Sequence, residues 1–282
     1  MTTTPPASAH PALSAPAQRL RDLFTAEVRL RDRDAAPGFV VEHDGPVHRT
    51  YPADPAAAGA MVENPEGLGD DPAHWVARQA EFFRGRGQRV EWKTYSYDEP
   101  AGLPALLGAA GFVPEDDEVL LLGRCEDLVH DVTLPDGVRL RDIASDDDWE
   151  RVRVLCDEVW GRETSWVNDS LRAEQRERPD LMTATVVEEV DTGRVVSYAV
   201  LRLTDDTSFC GLWGGSTLRE WRRRGLYRAL VSHRAALALE RGHPHARVDT
   251  SPDSRPILLG LGMHAVSGTR PHVLDPHATD AR

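Results

Sequence analysis

Residues Cys210–Gly242 read CGLWGGSTLREWRRRGLYRALVSHRAALALERG. Cys210 to Leu218 is apolar and β-compatible, with Gly214 and Gly215 inside it. A basic turn follows, Arg219-Glu220-Trp221-Arg222-Arg223-Arg224-Gly225-Leu226-Tyr227. From Tyr227 the spacing becomes helical. Leu226, Leu230, Val231 and Leu237 recur near i, i+4, which puts Arg228, His233 and Arg234 on other faces. A helix start leaves N–H groups without intrahelical partners and carries partial positive charge. Gly225 allows close backbone approach, and Arg222, Arg223, Arg224 and Arg228 surround it. The combination suits a phosphate or pyrophosphate. The plainer alternative is a solvated basic helix start.

The rest of the chain sharpens that choice. The 282 residues carry a net charge of -13, so a basic surface for nucleic acid is not expected. The arginine cluster is a local exception, which favours a small anionic ligand. Cys125, Cys156 and Cys210 are scattered and odd in number, with neither a disulfide framework nor a CxxC metal site. The eleven histidines show no metal spacing, and His233, His243 and His245 read as surface groups. No apolar run is long enough to span a membrane. Residues 1–17, rich in Pro, Ala, Ser and Thr, are expected to be a disordered tail without a signal pattern. A reducing cytoplasm is the expected location.

Outward from the central stretch, elements alternate. In the first half we expect a short helix from Gln18 to Ala26 and a hairpin of Phe39–His43 with Val47–Tyr51. Ala53 to Pro72 reads mostly as loop, followed by a helix from His74 to Arg86 capped by Asp70 or Asp71. A strand at Arg89–Tyr95, a helix near Pro100–Ala109 and a strand at Glu118–Leu122 complete it. A boundary falls within Cys125–Gly137. In the second half we expect a strand at Val138–Arg141, helices from Ser145 to about Trp160 and around Asp169–Arg178, and strands at Thr183–Val190 and Val195–Leu203. After the long helix come a strand at Ala246–Thr250, a short helix at Arg255–Leu261 and a last strand near Pro271–Leu274.

The two halves end alike. Arg86-Gly87, Val90-Glu91, Asp98, Pro100, Leu106-Leu107-Gly108 and Gly111-Phe112 parallel Arg241-Gly242, Val248-Asp249, Asp253, Pro256, Leu258-Leu259-Gly260 and Gly262-Met263. A supersecondary unit used twice argues for two similarly folded domains. Before its helix the first copy has Asn64-Pro65-Glu66-Gly67-Leu68-Gly69-Asp70-Asp71, which lacks arginine and carries carboxylates. Such a loop repels a pyrophosphate, so only the second half is expected to bind one.

The segment Arg222-x-x-Gly225-x-Tyr227, at the join of a strand and a helix, resembles R/Q-x-x-G-x-G/A, the acetyl-CoA signature of the GNAT acetyltransferase superfamily. The arginine and first glycine match; the last position, normally small, is Tyr227. The resemblance covers most of Val138–Leu274. It implies an α/β fold of two GNAT-like domains, each a mixed, mostly antiparallel central sheet flanked by helices. Residues 18–130 would be a degenerate GNAT-like domain and 131–282 the acetyl-CoA-binding one. The implied reaction moves an acetyl group from acetyl-CoA, as co-substrate, to an amine of a small molecule or protein. The enzyme would be a monomer or homodimer.

The resemblance also assigns roles. Backbone groups near Ser216, Thr217 and Leu218 would pair with the pantetheine arm. The loop Arg222, Arg223, Arg224, Gly225, Leu226, Tyr227 and Arg228 would hold the pyrophosphate. Gly214 and Gly215 could mark a bulge that admits the ligand, or ordinary close packing. The family's asparagine and tyrosine before the final Gly-Phe fall at Ser251 and Leu258, so the usual tyrosine acid is missing. Tyr227 or water then supplies the proton, or the thiolate leaves without one. Asp249 and Tyr198 are candidate bases; their alternatives are a turn residue and a core residue. Glu220 reads as an ion-pair partner. Asp157–Trp166, with acids and two tryptophans, suits a cationic amine; Trp160 can instead pack in the core. The rival function is a non-catalytic acyl-CoA-binding or regulatory protein. A phosphate-hydrolysing enzyme is disfavoured, since no GxxxxGK[ST] loop is present.

Overall fold

The computed structural model describes residues 13–30 and 38–278. The expected tail lies outside the described residues up to residue 12. From Ala15 the chain is already helical: α1 (Ala15–Phe24) starts at Ser14, whose hydroxyl accepts from Ala17 N–H, and runs into a π-helical turn at Thr25–Arg29. The first half then forms β1 (Phe39–Asp44), β2 (Val47–Pro52), β3 (Ala60–Glu63), α2 (Pro72–Arg86), β4 (Val90–Tyr95), α3 (Leu103–Ala109), β5 (Val113–Pro114), β6 (Glu118–Arg124) and α4 (Cys125–Leu128). The second half forms β7 (Val138–Asp142), α5 (Asp146–Trp160), α6 (Ser165–Glu177), β8 (Met182–Glu189), β9 (Val195–Leu203), β10 (Phe209–Thr217), α7 (Leu226–Glu240), β11 (His245–Thr250), α8 (Arg255–Gly260) and β12 (His264–Leu274).

β5 and α4 have no counterpart in the sequence expectation, and two further elements depart from it. β3 lies inside the stretch read as loop. Its four residues alternate, with Ala60 and Val62 buried and Met61 turned outward, but Gly and Pro on both sides mask so short a period. β12 is eleven residues rather than four, because Ser267, Gly268 and Thr269 weaken its apolar signal.

All twelve described strands join one sheet, in the order β1-β2-β3-β4-β12-β6-β11-β10-β9-β8-β7, with β5 on β12. The parallel pairs are β3 with β4 and β10 with β11, and a helix connects each pair: α2 in the first half, α7 in the second. Each half thus repeats a strand–helix–strand crossover inside an otherwise antiparallel sheet. The halves also exchange strands. β6 ends the first half but inserts between β11 and β12 of the second. The last part of β12, Thr269–Leu274, inserts between β4 and β5 of the first. The expected cut near residue 130 therefore separates the chain but not the sheet.

The cores follow this plan. α2 and α3 cover Val90 and Trp92 of the first half; α7 covers Ala246, Val248, Leu201 and Cys210 of the second. On the opposite face of the seam, α1 lays Leu20 and Phe24 on Tyr95, Leu120, Leu122 and Phe209. Cys125 and Cys210, scattered in sequence, meet with their sulfurs 3.8 Å apart, both buried and free.

Candidate functional site

β10 and α7 build the centre. β10 pairs in parallel with β11 only over Phe209–Gly211 and then parts from it, which opens a cleft. On its other side its register with β9 shifts between Trp213 and Ser216. Gly214 sits in this bulge at φ +65°, and an added Cβ would lie 2.9 Å from the Tyr198 hydroxyl. A Cβ on Gly215 would lie 2.6 Å from the Tyr227 ring. Gly214 is thus required by its left-handed backbone and by close approach, and Gly215 by close approach alone. Leu218 donates its N–H to Val196 O, and Ser197 Oγ donates to Ser216 O, so both groups are spent toward β9. Thr217, one residue out of phase, turns its backbone to the cleft side, where its carbonyl accepts from Arg222 Nε at 3.2 Å.

The loop then tightens into a 3-10 turn at Arg219–Trp221. Arg223 takes a left-handed conformation, φ +62°, and Gly225 another, φ +85°, as the N-cap of α7. No side chain caps this helix. Leu226 is buried beneath it while Arg222, Arg223, Arg224 and Arg228 are exposed around it. The first N–H groups of α7 are therefore unsatisfied, dipole-polarised and ringed by guanidinium groups, which is an anion site. Arg224 lies 4.7 Å over the Trp221 ring, and Glu220 pairs with Arg194 at 3.2 Å as expected.

Both candidate tyrosines meet the cleft. Tyr227 lies against Gly215, with its hydroxyl toward Ser254 just before α8; burial raises its pKa above the usual 10.0. Tyr198 is buried, with its hydroxyl at Gly214 and near Cys156. Burial pushes both groups up, Cys156 to about 11. Between them lies a group the helical spacing placed wrongly. Arg234 was expected on another face; it follows Leu230 by four residues and is 1% exposed, facing the sheet. Its guanidinium donates to Leu230 O, to Val200 O at 2.8 Å and to Trp213 O at 3.3 Å, with no carboxylate partner among the described residues. Burial lowers its pKa, yet the charge stays, held by carbonyl groups at the bulge itself. The signal available in the sequence was a lone arginine at i+4 from Leu230 in an otherwise apolar run.

Asp249 sits on β11 one turn of the pleat beyond the last β10 pair, 10% exposed. Directly opposed antiparallel residues share a face, so Asp249, Leu120, Glu118, Thr269, Tyr95 and Lys93 all point one way. Lys93 Nζ, from the first half, lies 3.0 Å from Asp249 and 3.0 Å from Glu118; Thr269 Oγ1 lies 3.3 Å from Asp249. Burial alone would lower the Lys93 pKa, but Asp249 and Glu118 raise it overall, so the ammonium is firmly charged. Ser251 is exposed between β11 and α8, and its carbonyl accepts from Arg255 N–H. Leu258 is wholly buried in the core.

The expected acceptor segment is corrected in part. Asp157 accepts from Thr164 N–H and Oγ1, both at 2.8 Å, and Glu158 pairs with Arg194. These acids hold their own loop. Trp160 is not core: it is 55% exposed, and its Nε1 donates to Ser216 Oγ at 3.1 Å, so it overhangs the end of the bulge. The Trp166 side chain lies outside the described residues. Nor are the three histidines bare surface groups: His233 bonds Asp142, His243 bonds Thr204 O, and His245 is half-buried against Ser208, where burial lowers its pKa. Among the described residues no cluster could hold a metal ion, and no helix is long and apolar enough to cross a membrane.

The corresponding cleft of the first half is closed. Beyond the β3–β4 pair, Asn64 accepts from Trp92 Nε1 at 2.9 Å and donates to Glu99 O at 3.2 Å. Leu68 is buried behind it at 1% exposure. Asp71 caps α2 by accepting from His74 N–H at 3.1 Å. A carboxylate thus stands where α7 leaves its N–H groups open.

Residues 145–258 match the family model "Acetyltransferase (GNAT) family". The match takes in the bulged β10, the arginine loop and α7, and leaves out the first half. Solved structures share the fold over more of the chain. A GCN5-related N-acetyltransferase from Kribbella flavida superposes with TM-score 0.66 at 18% identity, covering 96% of this chain and 99% of that one. A GCN5-related N-acetyltransferase from Sphaerobacter thermophilus gives 0.61 at 17%, covering 83% and 78%. A tandem GNAT protein from the clavulanic acid biosynthesis pathway gives 0.59 at 15%, covering 94% and 96%. At such identities the likeness is one of fold. No curated protein matches the sequence. Within the matched residues, the sequence located the arginine loop and the bulged strand; it missed Arg234 and the reach of Lys93 across the seam.

Proposed function

We propose that the second half is an N-acetyltransferase that takes its acetyl group from acetyl-CoA, and that the first half binds no nucleotide. One observation carries this reading. β10 and β11 part beside a bulge, and the uncapped, arginine-ringed start of α7 lies at the mouth of the opening. The pyrophosphate would bind the N–H groups of Leu226, Tyr227 and Arg228 with Arg222, Arg223 and Arg224 around them. The pantetheine arm would run along Thr217 into the cleft. The thioester carbonyl would reach the bulge at Gly214, where Arg234 holds the preceding carbonyl, Trp213 O.

The chemistry is an exchange of one bond for another. The amine nitrogen attacks the thioester carbon, a C–N bond forms and the C–S bond breaks. The amine gives up a proton and the leaving thiolate takes one. Tyr227 stands on the cleft wall with its hydroxyl protonated at neutral pH, which suits donation to the thiolate. Asp249, ion-paired with Lys93 at 3.0 Å, would take the amine's proton through water or anchor the amine in its ammonium form. Tyr198, buried against Cys156, supports the bulge. Calorimetric titration with acetyl-CoA tests the reading: one molecule per chain is expected, together with thiol release when an amine is accepted. Absence of binding would move the loop to another anion and overturn it. Binding without thiol release for any amine would favour a non-catalytic acyl-CoA-binding protein instead.

A further inference from the structure

The guanidinium of Arg234 is buried with no counter-ion to account for it. The titratable groups around it are Tyr227, Cys210 and Tyr198, none of them a carboxylate. A buried, unpaired charge is costly, and a neutral amide could satisfy main-chain carbonyls without that cost. The first half shows the neutral choice. Counted back from Arg86-Gly87 and from Arg241-Gly242, Gln79 of α2 corresponds to Arg234 of α7. Gln79 is buried too, but it bonds the side chains of Arg49 and Asp44. The charge therefore occurs in the half whose cleft is open.

What the charge touches is one particular peptide. Sheet order puts β9 on one side of β10 and β11 on the other. Arg234 Nη1 donates to Val200 O of β9 at 2.8 Å and to Trp213 O of β10 at 3.3 Å, so the Trp213 carbonyl is turned to the β9 side. The Trp213–Gly214 peptide is trans, and its N–H points the opposite way. That N–H belongs to Gly214. Gly214 lies between the β9 registers Trp213 with Val200 and Ser216 with Tyr198, and beyond Gly211, the last β10 residue paired with β11. It has no partner residue on either strand, and its N–H faces the opening. A cation on the carbonyl oxygen draws electron density through the planar amide. The N–H at the far end becomes a stronger donor.

We infer that Arg234 is a positioning residue: through the Trp213–Gly214 peptide it aims and strengthens the Gly214 N–H as a donor to the carbonyl oxygen of the acyl thioester. This role rests on the acetyl-CoA reading above. When the amine attacks, the carbonyl π pair moves onto oxygen, and the negative charge forms against that N–H. The pair then returns, the C=O re-forms, and the electrons of the breaking C–S bond leave on sulfur. Arg234 itself gains and loses no proton.

Isotope-edited infrared spectroscopy reads this donor directly and needs no acceptor amine. The probe is acetyl-CoA labelled with carbon-13 at the thioester carbonyl, bound to the full chain, with calorimetry for its affinity. In the parent protein the C=O stretch is expected at lower frequency than in free acetyl-CoA in water. Arg234→Met keeps the length of the side chain and removes its charge and donors. It should lose most of that shift, with affinity nearly unchanged because the arginine loop is intact. Arg234→Lys keeps the charge on a single nitrogen and should retain part of the shift. With an accepted amine, kcat should fall about 10²-fold in Arg234→Met and recover in part in Arg234→Lys, with the KM for acetyl-CoA nearly unchanged. A purely structural role would lower thermal stability and leave the stretch where it was. No acetyl-CoA binding by the parent removes this role together with the acetyl-CoA reading. Binding without a shift in the parent, or a full shift in Arg234→Met, overturns the role of Arg234 alone. If Arg234→Met does not fold, Arg234→Lys decides: a shift equal to the parent's overturns the proposal, and a smaller one upholds it.

Discussion

Tyr227 occupies a position where the GNAT signature has a small residue, and the fold accommodates it by a compensating glycine. Gly215 leaves room for the ring, which then lies along the cleft with its hydroxyl toward Ser254. If that hydroxyl protonates the leaving thiolate, Tyr227→Phe removes one proton donor and little else. We expect kcat to fall about 10²-fold, with the KM for acetyl-CoA nearly unchanged. Burial holds the group protonated past its usual 10.0, so the parent protein, if it turns over as proposed, should show no loss of kcat from this group below that pH. An unchanged kcat in the variant would assign protonation to water. The same scale shows the limit of the sequence. Gly214, Gly215 and Tyr227 were legible because they break a pattern. Arg234 was not, because a charged residue on an amphipathic helix is assigned to solvent unless something names its partners. Those partners are main-chain carbonyls of Val200 and Trp213, distant in sequence and invisible to periodicity.

At the level of elements, α2 and α7 are the same helix put to different use. Both follow a parallel strand, and both end at a left-handed glycine, Gly87 and Gly242. At matching places Gln79 and Arg234 are the buried polar residues facing the sheet. The helices differ at their starts. α2 is closed by Asp71 with Pro72 behind it, while α7 is left open beside arginines. A single molecule of CoA per chain is therefore expected. Arg222→Ala removes both a cation and the tie to Thr217, and should weaken binding about tenfold. Gly225→Glu places a carboxylate at the anion site and should weaken it further. Gly225→Ala is the control for backbone strain, which costs roughly 1–2 kcal/mol in a left-handed residue. Two bound molecules, or full affinity in both Arg222→Ala and Gly225→Glu, would reject the distinction between the helices. The repeat itself was readable from glycines, arginines and the order of elements. β3 was not, since four residues between turns carry too little pattern.

Across the whole molecule, stability is divided between a peripheral ion network and the central seam. Arg141 holds Asp148 and Glu188, whose side chains are 4% and 1% exposed. Its guanidinium keeps both carboxyls below their ordinary 3.8 and 4.5. A depressed carboxyl stabilises the fold fully above its unfolded value and loses that contribution as pH falls through the folded one. Arg141→Met should therefore cost roughly 3 kcal/mol at pH 7, and its deficit in thermal stability should shrink as pH falls below about 4. A deficit independent of pH would mean the arginine acts by packing alone.

The seam makes the strongest demand. The exchange of β6 and β12 could not be foreseen, because a strand's partners are set by topology rather than by its own residues. Its consequence is that residues 131–282 lack a strand of their own sheet. Removing β6 exposes the pairing edges of β11 and β12 and takes away Leu121 and Leu122, which uncovers Val248, Met263, Phe209 and Val266 packed with them. It also removes Lys93 from Asp249. Open edges and bare apolar residues favour aggregation. We expect a fragment beginning at residue 131 to be insoluble or unfolded by circular dichroism. Adding the first half as a separate chain, residues 1–130, should recover soluble protein, because β6 can then return to its place. A soluble, acetyl-CoA-binding fragment on its own would show that β11 and β12 close on each other, and that the interlocked sheet is dispensable for the site.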